Sequence, residues 1–384
     1  MTNNSPSPLR IFHLHAGGVQ ALDHLPMQAP ARGFIWIACT RSALGERLAE
    51  LQASLLALSG QQLVDLHVSD LLNAQLPSRY DFTSQYDVLV FRRLATATGT
   101  GTGTAEAPPP PRRRGGPPVL RHIDTTPVGF AVFDQVLLSV HPDDCTARDA
   151  YAARLLAAMP TDPRESRALP ALGAAGIRRP ASPADLMLRL VNLLVDGYLD
   201  LRRELSRQLD HWQTELLRPR TRFANWQSLL DARLALHQLD EICEDQRTAV
   251  QDWIDALDNG ALPESPPALR ELDLLKVRSR DVLEHIERVV HHVRRLEQST
   301  ETAVQMHFSV QSNRANDIMR TLTALTAVFL PLNLIAGIFG MNFEFIPLVH
   351  KADGFWWAMG AMAVIALALV LLFWRKRYLA RSAR

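Results

Sequence analysis

The feature that most constrains this chain is an uncharged run from Thr321 to Asn342, TLTALTAVFLPLNLIAGIFGMN. At 1.5 Å of rise per residue, a helix of about twenty residues matches the roughly 30 Å hydrocarbon core of a bilayer. We read it as a transmembrane helix. A second run, Phe355 to Trp374 (FWWAMGAMAVIALALVLLFW), has tryptophans at both edges, as interfacial belts do. Arg375, Lys376, Arg377, Arg381 and Arg384 follow it, Arg314 and Arg320 precede the first run, and only Lys351 is positive in the loop between. The positive-inside rule then puts both termini in the cytoplasm, with the loop 343–354 outside an inner or plasma membrane.

The first run carries polar residues that lipid alone would not favour. Met319, Leu322, Thr326, Leu330, Asn333 and Gly337 recur at steps of three and four, which is the seam of a helix packed around an axis. An unpaired amide in hydrocarbon costs several kcal/mol, so such groups turn toward a bundle interior or a water-filled path. Periodicity leaves both uses open: helix-to-helix adhesion with Gly337 permitting close approach, or the lining of a pore. Pro331 is tolerable in such a helix when neighbouring groups satisfy the carbonyl it frees.

The stretch FLPLNLIAGIFGMNFEF, Phe329 to Phe345, resembles the first membrane helix and signature of CorA-type divalent-cation channels. A bare GMN triplet is common by chance, whereas this long match at the outer end of the first of two C-terminal spans is specific. The similarity is strongest over Met319 to Trp374, moderate over the preceding helix and weak before Ser182. It implies an α/β cytoplasmic domain, a long helical stalk continuing into a two-helix transmembrane domain, and a funnel-shaped homopentamer with first spans around the pore. It further implies an outer selectivity ring from Gly340, Met341 and Asn342. Asn342 would bind the ion through its hydration shell, with Asn333, Gly337 and Thr326 as polar lining and Leu330, Leu322 and Met319 on the same wall. Leu322 and Met319 would form a hydrophobic gate. Three positions depart from the family pattern: Phe339 stands where Tyr is usual, Asn333 where Thr is usual, and Gln305 where an acidic cytosolic sensor is usual.

Upstream, Leu9 to Leu14, Phe34 to Cys39, Val88 to Phe91 and Val128 to Val140 read as strands, the last as a hairpin or bent pair. Leu44, Leu48, Leu51, Leu55 and Leu58 predict one amphipathic helix between Ser42 and Leu58. Alternating strand and helix imply an α/β domain. We expect that domain over 1–181, with a disordered low-complexity insert at 95–118 whose Arg112 to Arg114 face solvent, lipid headgroups or an acidic partner.

Ser182, Pro183 and Asp185 form a helix start. An antiparallel helical hairpin is expected over 182–260, its helices running to about Leu217 and from about Phe223 to Leu257. A stalk helix follows over 268–320, then a first span over 321–342, an external loop over 343–354, a second span over 355–374 and a basic tail over 375–384. Stalk and first span make one helix of about seventy residues, on the order of 100 Å, which no single subunit could cover along its length.

Several residue groups remain open to two readings. Asp240, Glu241, Glu244 and Asp245 hold cations or form a solvated face. His285 and His292 ligate a metal, face solvent or meet another subunit. Cys39, Cys145 and Cys243 lack metal or disulfide spacing and read as small buried hydrophobes.

The formal net charge of +1 gives no argument for nucleic acid. No cofactor is expected, and no nucleophile, base and orienting group stand out together, so an enzyme is not indicated. The N-terminus lacks a basic start followed by an apolar run, so no signal peptide is expected. The functional expectation is passive entry of hydrated Mg²⁺, with Co²⁺ and Ni²⁺ as further cargo, and with Glu344 and Asp353 concentrating cations at the outer mouth. The alternatives are a Zn²⁺ transporter of the ZntB type, proton-coupled or not, and a membrane-anchored coiled-coil sensor or scaffold. The acid in NFEF resembles the magnesium-type members.

Overall fold

The computed structural model describes residues 7–95, 124–144, 146–157, 179–217, 226–341 and 353–375. Most of the low-complexity insert, Cys145, Asn342 and Glu344 lie outside them. Two compact units divide the chain, 1–300 and 301–384.

In the first unit, strands β1 (Leu9–His15), β2 (Gly18–Leu22), β3 (Phe34–Thr40), β4 (Arg79–Phe82), β5 (Asp87–Leu94), β6 (Thr125–Val132) and β7 (Val136–His141) form one sheet. Its order is β2-β1-β3-β7-β6-β5-β4. All pairs are antiparallel except β3 with β7.

β3 is buried along its whole length because both its faces are covered. Phe34, Trp36 and Ala38 join one core with residues of α4 (Thr146–Ala157), α5 (Pro183–Leu217), α6 (Trp226–Asn259) and the first part of α7 (Pro266–Phe339). Ile35, Ile37 and Cys39 join the other, with α1 (Arg41–Glu46), α2 (Leu48–Ser59) and α3 (Asp65–Leu72). This near-continuous apolar strand between helical layers is the α/β sandwich expected from the alternation. Gly33 sets the entry to β3: its φ is +83° and an added Cβ would lie 2.0 Å from the Leu14 carbonyl oxygen.

The helix expected between Ser42 and Leu58 is two helices. The chain leaves helical geometry at Arg47, at φ −115° and ψ 26°, two residues after Gly45, the weakest helix former of the segment. Leu44, Leu51, Leu55 and Leu58 are nevertheless all buried on one side. Hydrophobic burial therefore kept the stripe while the backbone broke beneath it. Val128 to Val140 is the β6–β7 hairpin, registered Val132 to Leu137 through Gly129 to Val140.

The start of α5 is a reciprocal cap. The Ala181 N–H donates to Asp185 Oδ2 at 2.9 Å, and the Asp185 N–H faces Ser182 Oγ at 3.4 Å. Asp185 Oδ1 also accepts from Arg189 at 3.2 Å and pairs with Arg278 of α7. Cys39 and Cys243 are buried free thiols, and burial followed by Asp240 and Glu244 pushes Cys243 up to about 12. Both therefore behave as the expected small hydrophobes.

A polar chain crosses the α4 side of the sheet. Trp36 Nε1 donates to Ser139 Oγ at 2.8 Å, and that hydroxyl lies 2.9 Å from His141 Nε2. Indole can only donate, so Ser139 accepts from it. Burial, then Arg148, Arg93 and Arg41, push His141 down to about 3, with Asp144 opposing.

The folded state thus binds fewer protons than the unfolded chain, whose histidine keeps the ordinary 6.5. This contribution to stability is complete above pH 6.5 and is lost as pH falls toward 3. Unfolding free energies of wild type and His141→Gln should therefore diverge: between pH 7 and pH 5 the wild type loses about 2 kcal/mol more than the variant. Parallel pH profiles in denaturant titrations would contradict this.

Candidate metal-ion pathway

The second unit contains the end of α7 and α8 (Gly354–Arg375). Both helices are long and apolar enough to cross a membrane. α7 is a single element of 74 residues that continues through Pro331.

Proline lacks the donor and crowds the carbonyl four residues back, yet a membrane helix has no better alternative than continuing. Thr321, Thr323 and Thr326 turn their hydroxyls inward. They donate to the carbonyl oxygens of Asp317, Met319 and Leu322 at 2.8, 2.8 and 2.9 Å. Each hydroxyl proton is thereby used within the helix, leaving oxygen lone pairs as the outward polar feature.

Each span has one partly covered stripe. On α7 it comprises Ala324, Val328, Pro331, Ile335 and Phe339, with Ala324 only 3% exposed; on α8 it comprises Ala358, Met362, Ile365, Leu369 and Phe373. The expected seam lies elsewhere. Thr326, Leu330, Asn333 and Gly337 each sit two positions after a stripe residue, about 200° around the helix at 100° per residue. All four are exposed, Leu330 by 71%, and so are Met319 and Leu322. A Cβ added at Gly337 meets no atom within 4 Å. The structure thus groups the six seam residues on one face, opposite the stripe.

α7 ends at Phe339, three residues before the end of the expected span. Gly340 closes it by donating to the Ala336 carbonyl at 2.9 Å, and Met341 reaches the Ile338 carbonyl at 3.3 Å. An added Cβ at Gly340 would lie 3.1 Å from Ala336 O, so only glycine passes here without displacement. The carbonyl end of a helix carries the negative pole of its dipole, and Gly340 and Met341 stand at that pole. Asn342 follows directly in sequence, outside the described residues, as does Glu344. Asp353 is exposed, and its carbonyl accepts from Trp357 N at 3.1 Å as α8 begins. Its acid therefore sits at the positive pole of that helix.

Two other candidates in the sequence have structural partners. Asp240 and Glu244 of α6 both pair with Arg294 of α7, at 3.1 Å for Asp240, and Glu244 also accepts from Arg247 at 2.8 Å. These acids clamp two helices. His292 lies 2.7 Å from Ser206 Oγ, and His285 Nδ1 lies 3.3 Å from Asn192 Oδ1, both partners on α5. Within the chain, one ring nitrogen of each histidine is thus turned to α5. Among the described residues no group of three or more His, Cys, Asp or Glu side chains is arranged to hold a metal.

Sequence reasoning missed the partners on neighbouring helices, which lie 50 to 93 positions apart. No local periodicity encodes such pairings.

The family described as "CorA-like Mg2+ transporter protein" matches residues 32–377. The cobalt/magnesium transport protein CorA of Thermotoga maritima is 28% identical over 205 residues, covering 53% of this chain and 55% of that protein. Its Methanocaldococcus jannaschii namesake is 38% identical over 71 residues, 18% of this chain and 22% of that protein. The chain thus spans about half the length, or less, of the curated relatives it matches.

The complete structure of the CorA magnesium transporter from Methanocaldococcus jannaschii superposes with a TM-score of 0.69 at 17% identity, covering 96% of this chain and 98% of that one. Full-length CmaX superposes with a TM-score of 0.61 at 18% identity, covering 96% and 97%. The fold is therefore shared along almost the whole chain, and the sequence match extends across both spans. The chain belongs to the CorA-like Mg2+ transporter family.

Proposed function

We propose that this chain is one subunit of a homopentameric membrane channel through which hydrated Mg²⁺ enters the cytoplasm down the membrane potential. The observation that carries the reading is the exposed polar seam on a helix of bilayer length, opposite the partly covered stripe and leading to Gly340 and Met341. Two spans per chain cannot enclose an aqueous path, so the seam acquires this role only when several copies share an axis. The five-fold number rests on resemblance to the family. The relatives named as cobalt/magnesium transport proteins support the cargo.

The chemistry suits a hydrated hard cation. Mg²⁺ gives up its water reluctantly and prefers octahedral oxygen. Its bound waters present hydrogens outward, and neutral oxygens from Thr326, Asn333 and Asn342 accept them without the grip of a carboxylate. The negative poles of several α7 helices would converge beside the Asn342 ring, favouring cations before any full charge is met. Glu344 and Asp353 add negative charge at the external mouth. In the inner or plasma membrane, with both termini cytoplasmic, the potential supplies about 2 × 2.3 kcal/mol per 100 mV to a divalent ion. No further energy source is needed for uptake.

Purified full-length protein in proteoliposomes tests this reading. An imposed inside-negative potential should drive Mg²⁺ entry, with Co²⁺ and Ni²⁺ competing and no dependence on a proton gradient. Zn²⁺ entry that requires a proton gradient would replace the channel by a coupled transporter. No entry of any divalent ion through verified oligomers would leave a membrane-anchored scaffold.

A further inference from the structure

A buried polar row runs across the sheet beneath α4. Arg10 of β1, Ser139 and His141 of β7, Thr126 of β6 and Arg93 of β5 share the face that carries Phe12, Leu137, Phe130 and Phe91, as the two-residue strand period requires. Arg93 and Thr126 are direct cross-strand partners. α4 lays Arg148, which has no exposed surface, over this row. His141 lies within the electrostatic reach of both Arg93 and Arg148.

The hydrogen bonding of the row is incomplete in one direction only. Arg148 Nε donates to Asp149 at 2.9 Å, but neither of its terminal nitrogens has a partner among the described residues. Arg93 gives Nη1 to Thr146 at 3.1 Å and Nη2 to Asp144, while its buried Nε has no partner, nor has Thr126 Oγ1. Every one of these nitrogens is a donor that cannot accept, and the Thr126 hydroxyl can join them as a donor. A buried guanidinium left so is costly, because its hydration has been removed without replacement.

The charges give the same answer. Arg10, Arg93 and Arg148 face two carboxylates, Asp144 and Asp149, with Asp149 shared between Arg10 at 3.0 Å and Arg148. One positive charge is left over. Arg41, the remaining nearby cation, donates instead to the Leu71 and Pro127 carbonyls.

The position is also one where α/β sheets bind ligands: the carboxyl ends of the parallel pair β3 and β7, beside the start of α4. Asp144 keeps 36% of its side chain exposed, giving the cluster a side open to solvent.

We propose that Arg93, Thr126 and Arg148 form a binding site for one small monovalent inorganic anion of the halide class. A single spherical charge can accept from guanidinium and hydroxyl donors alike and brings no donor of its own. One negative charge also balances the surplus. A divalent oxyanion would overcompensate it and would need room for four oxygens.

The test uses the full-length protein in detergent, with chloride as the probe and gluconate as the counter-anion at constant ionic strength. Chloride should raise the thermal midpoint saturably, by several degrees in the millimolar range, as a ligand of the folded state alone does. Arg148→Met and Thr126→Val should flatten that dependence.

Wild-type crystals soaked in bromide provide a reading that needs no variant to fold: an anomalous peak is expected between Arg93 and Arg148. Equal midpoints in the two salts, a chloride effect that survives Arg148→Met, or bromide-soaked crystals without that peak would overturn the proposal. Such results would leave the donors to water. The outcome is separate from ion transport, because none of these residues belongs to the membrane spans.

Discussion

Asn342→Ala is expected to lower potential-driven Mg²⁺ entry by about 10- to 100-fold while leaving the oligomer intact. A hydrogen bond to a charged partner contributes about 1.5–3 kcal/mol, and tenfold in an equilibrium corresponds to about 1.4 kcal/mol. The amide would act at the narrow outer end, where α7 has ended and the Gly340 N–H has already been used to close the helix. Alanine keeps the chain path but removes the oxygen that accepts from the ion's water shell. The same reasoning makes the seam directional. Asn333→Leu should slow entry, whereas Val328→Leu on the partly covered stripe should leave cation selectivity unchanged. Tracer uptake into proteoliposomes separates these cases. Equal loss from both faces of α7 would mean that the seam has no special part in the path.

The largest stability effect is expected at Asp185. This nearly inaccessible carboxylate, 3% exposed, caps α5 through Ala181 N and pairs with Arg189 and with Arg278 of α7. Removing one member of a buried charge group typically costs about 3–5 kcal/mol because the remaining charges lose their compensation. Arg189 and Arg278 retain some solvent, with 17% and 28% exposure, so the lower end applies. Asp185→Ala should therefore destabilise the first unit by about 3 kcal/mol. Asp185→Asn should lose less, because an amide oxygen can still serve the cap. Denaturation of the full-length protein and a double-mutant cycle with Arg278→Met check the origin. Additive effects of the two substitutions would show that the pair carries no coupling.

The membrane part of this fold was legible because a bilayer imposes one strong rule, an uncharged helix of fixed length. Phe355 to Trp374 became Gly354–Arg375, and the long helix through Thr321 became Pro266–Phe339. The seam was legible because three- and four-residue steps survive any tertiary context. Its orientation opposite the partly covered stripe was not, since coverage depends on residues outside the run.

In the α/β domain, β3 announced itself through Phe34 to Cys39, whereas β4 did not. Its four residues, Arg79 to Phe82, lie at a sheet edge where burial asks little of the sequence. The break at Arg47 was hidden because Leu44 through Leu58 keep helical spacing on either side of it. Arg294 with Asp240 and Glu244, and His292 with Ser206, belong to tertiary geometry alone. Asp240, Glu244, His285 and His292 left more than one reading open in the sequence, because their partners on neighbouring helices are set by tertiary geometry. Their side chains are engaged in holding α5, α6 and α7 together.

The most direct measurement is the current through the purified oligomer in a planar bilayer, with Mg²⁺ as the main permeant cation and its gradient varied. A passive channel predicts a reversal potential that moves by about 30 mV per tenfold change in Mg²⁺, the value for a two-charge carrier. That potential should ignore an imposed pH difference, and the current should be strongly reduced in Asn342→Ala. A reversal potential that follows pH, or verified oligomers that pass no divalent current, would contradict the account.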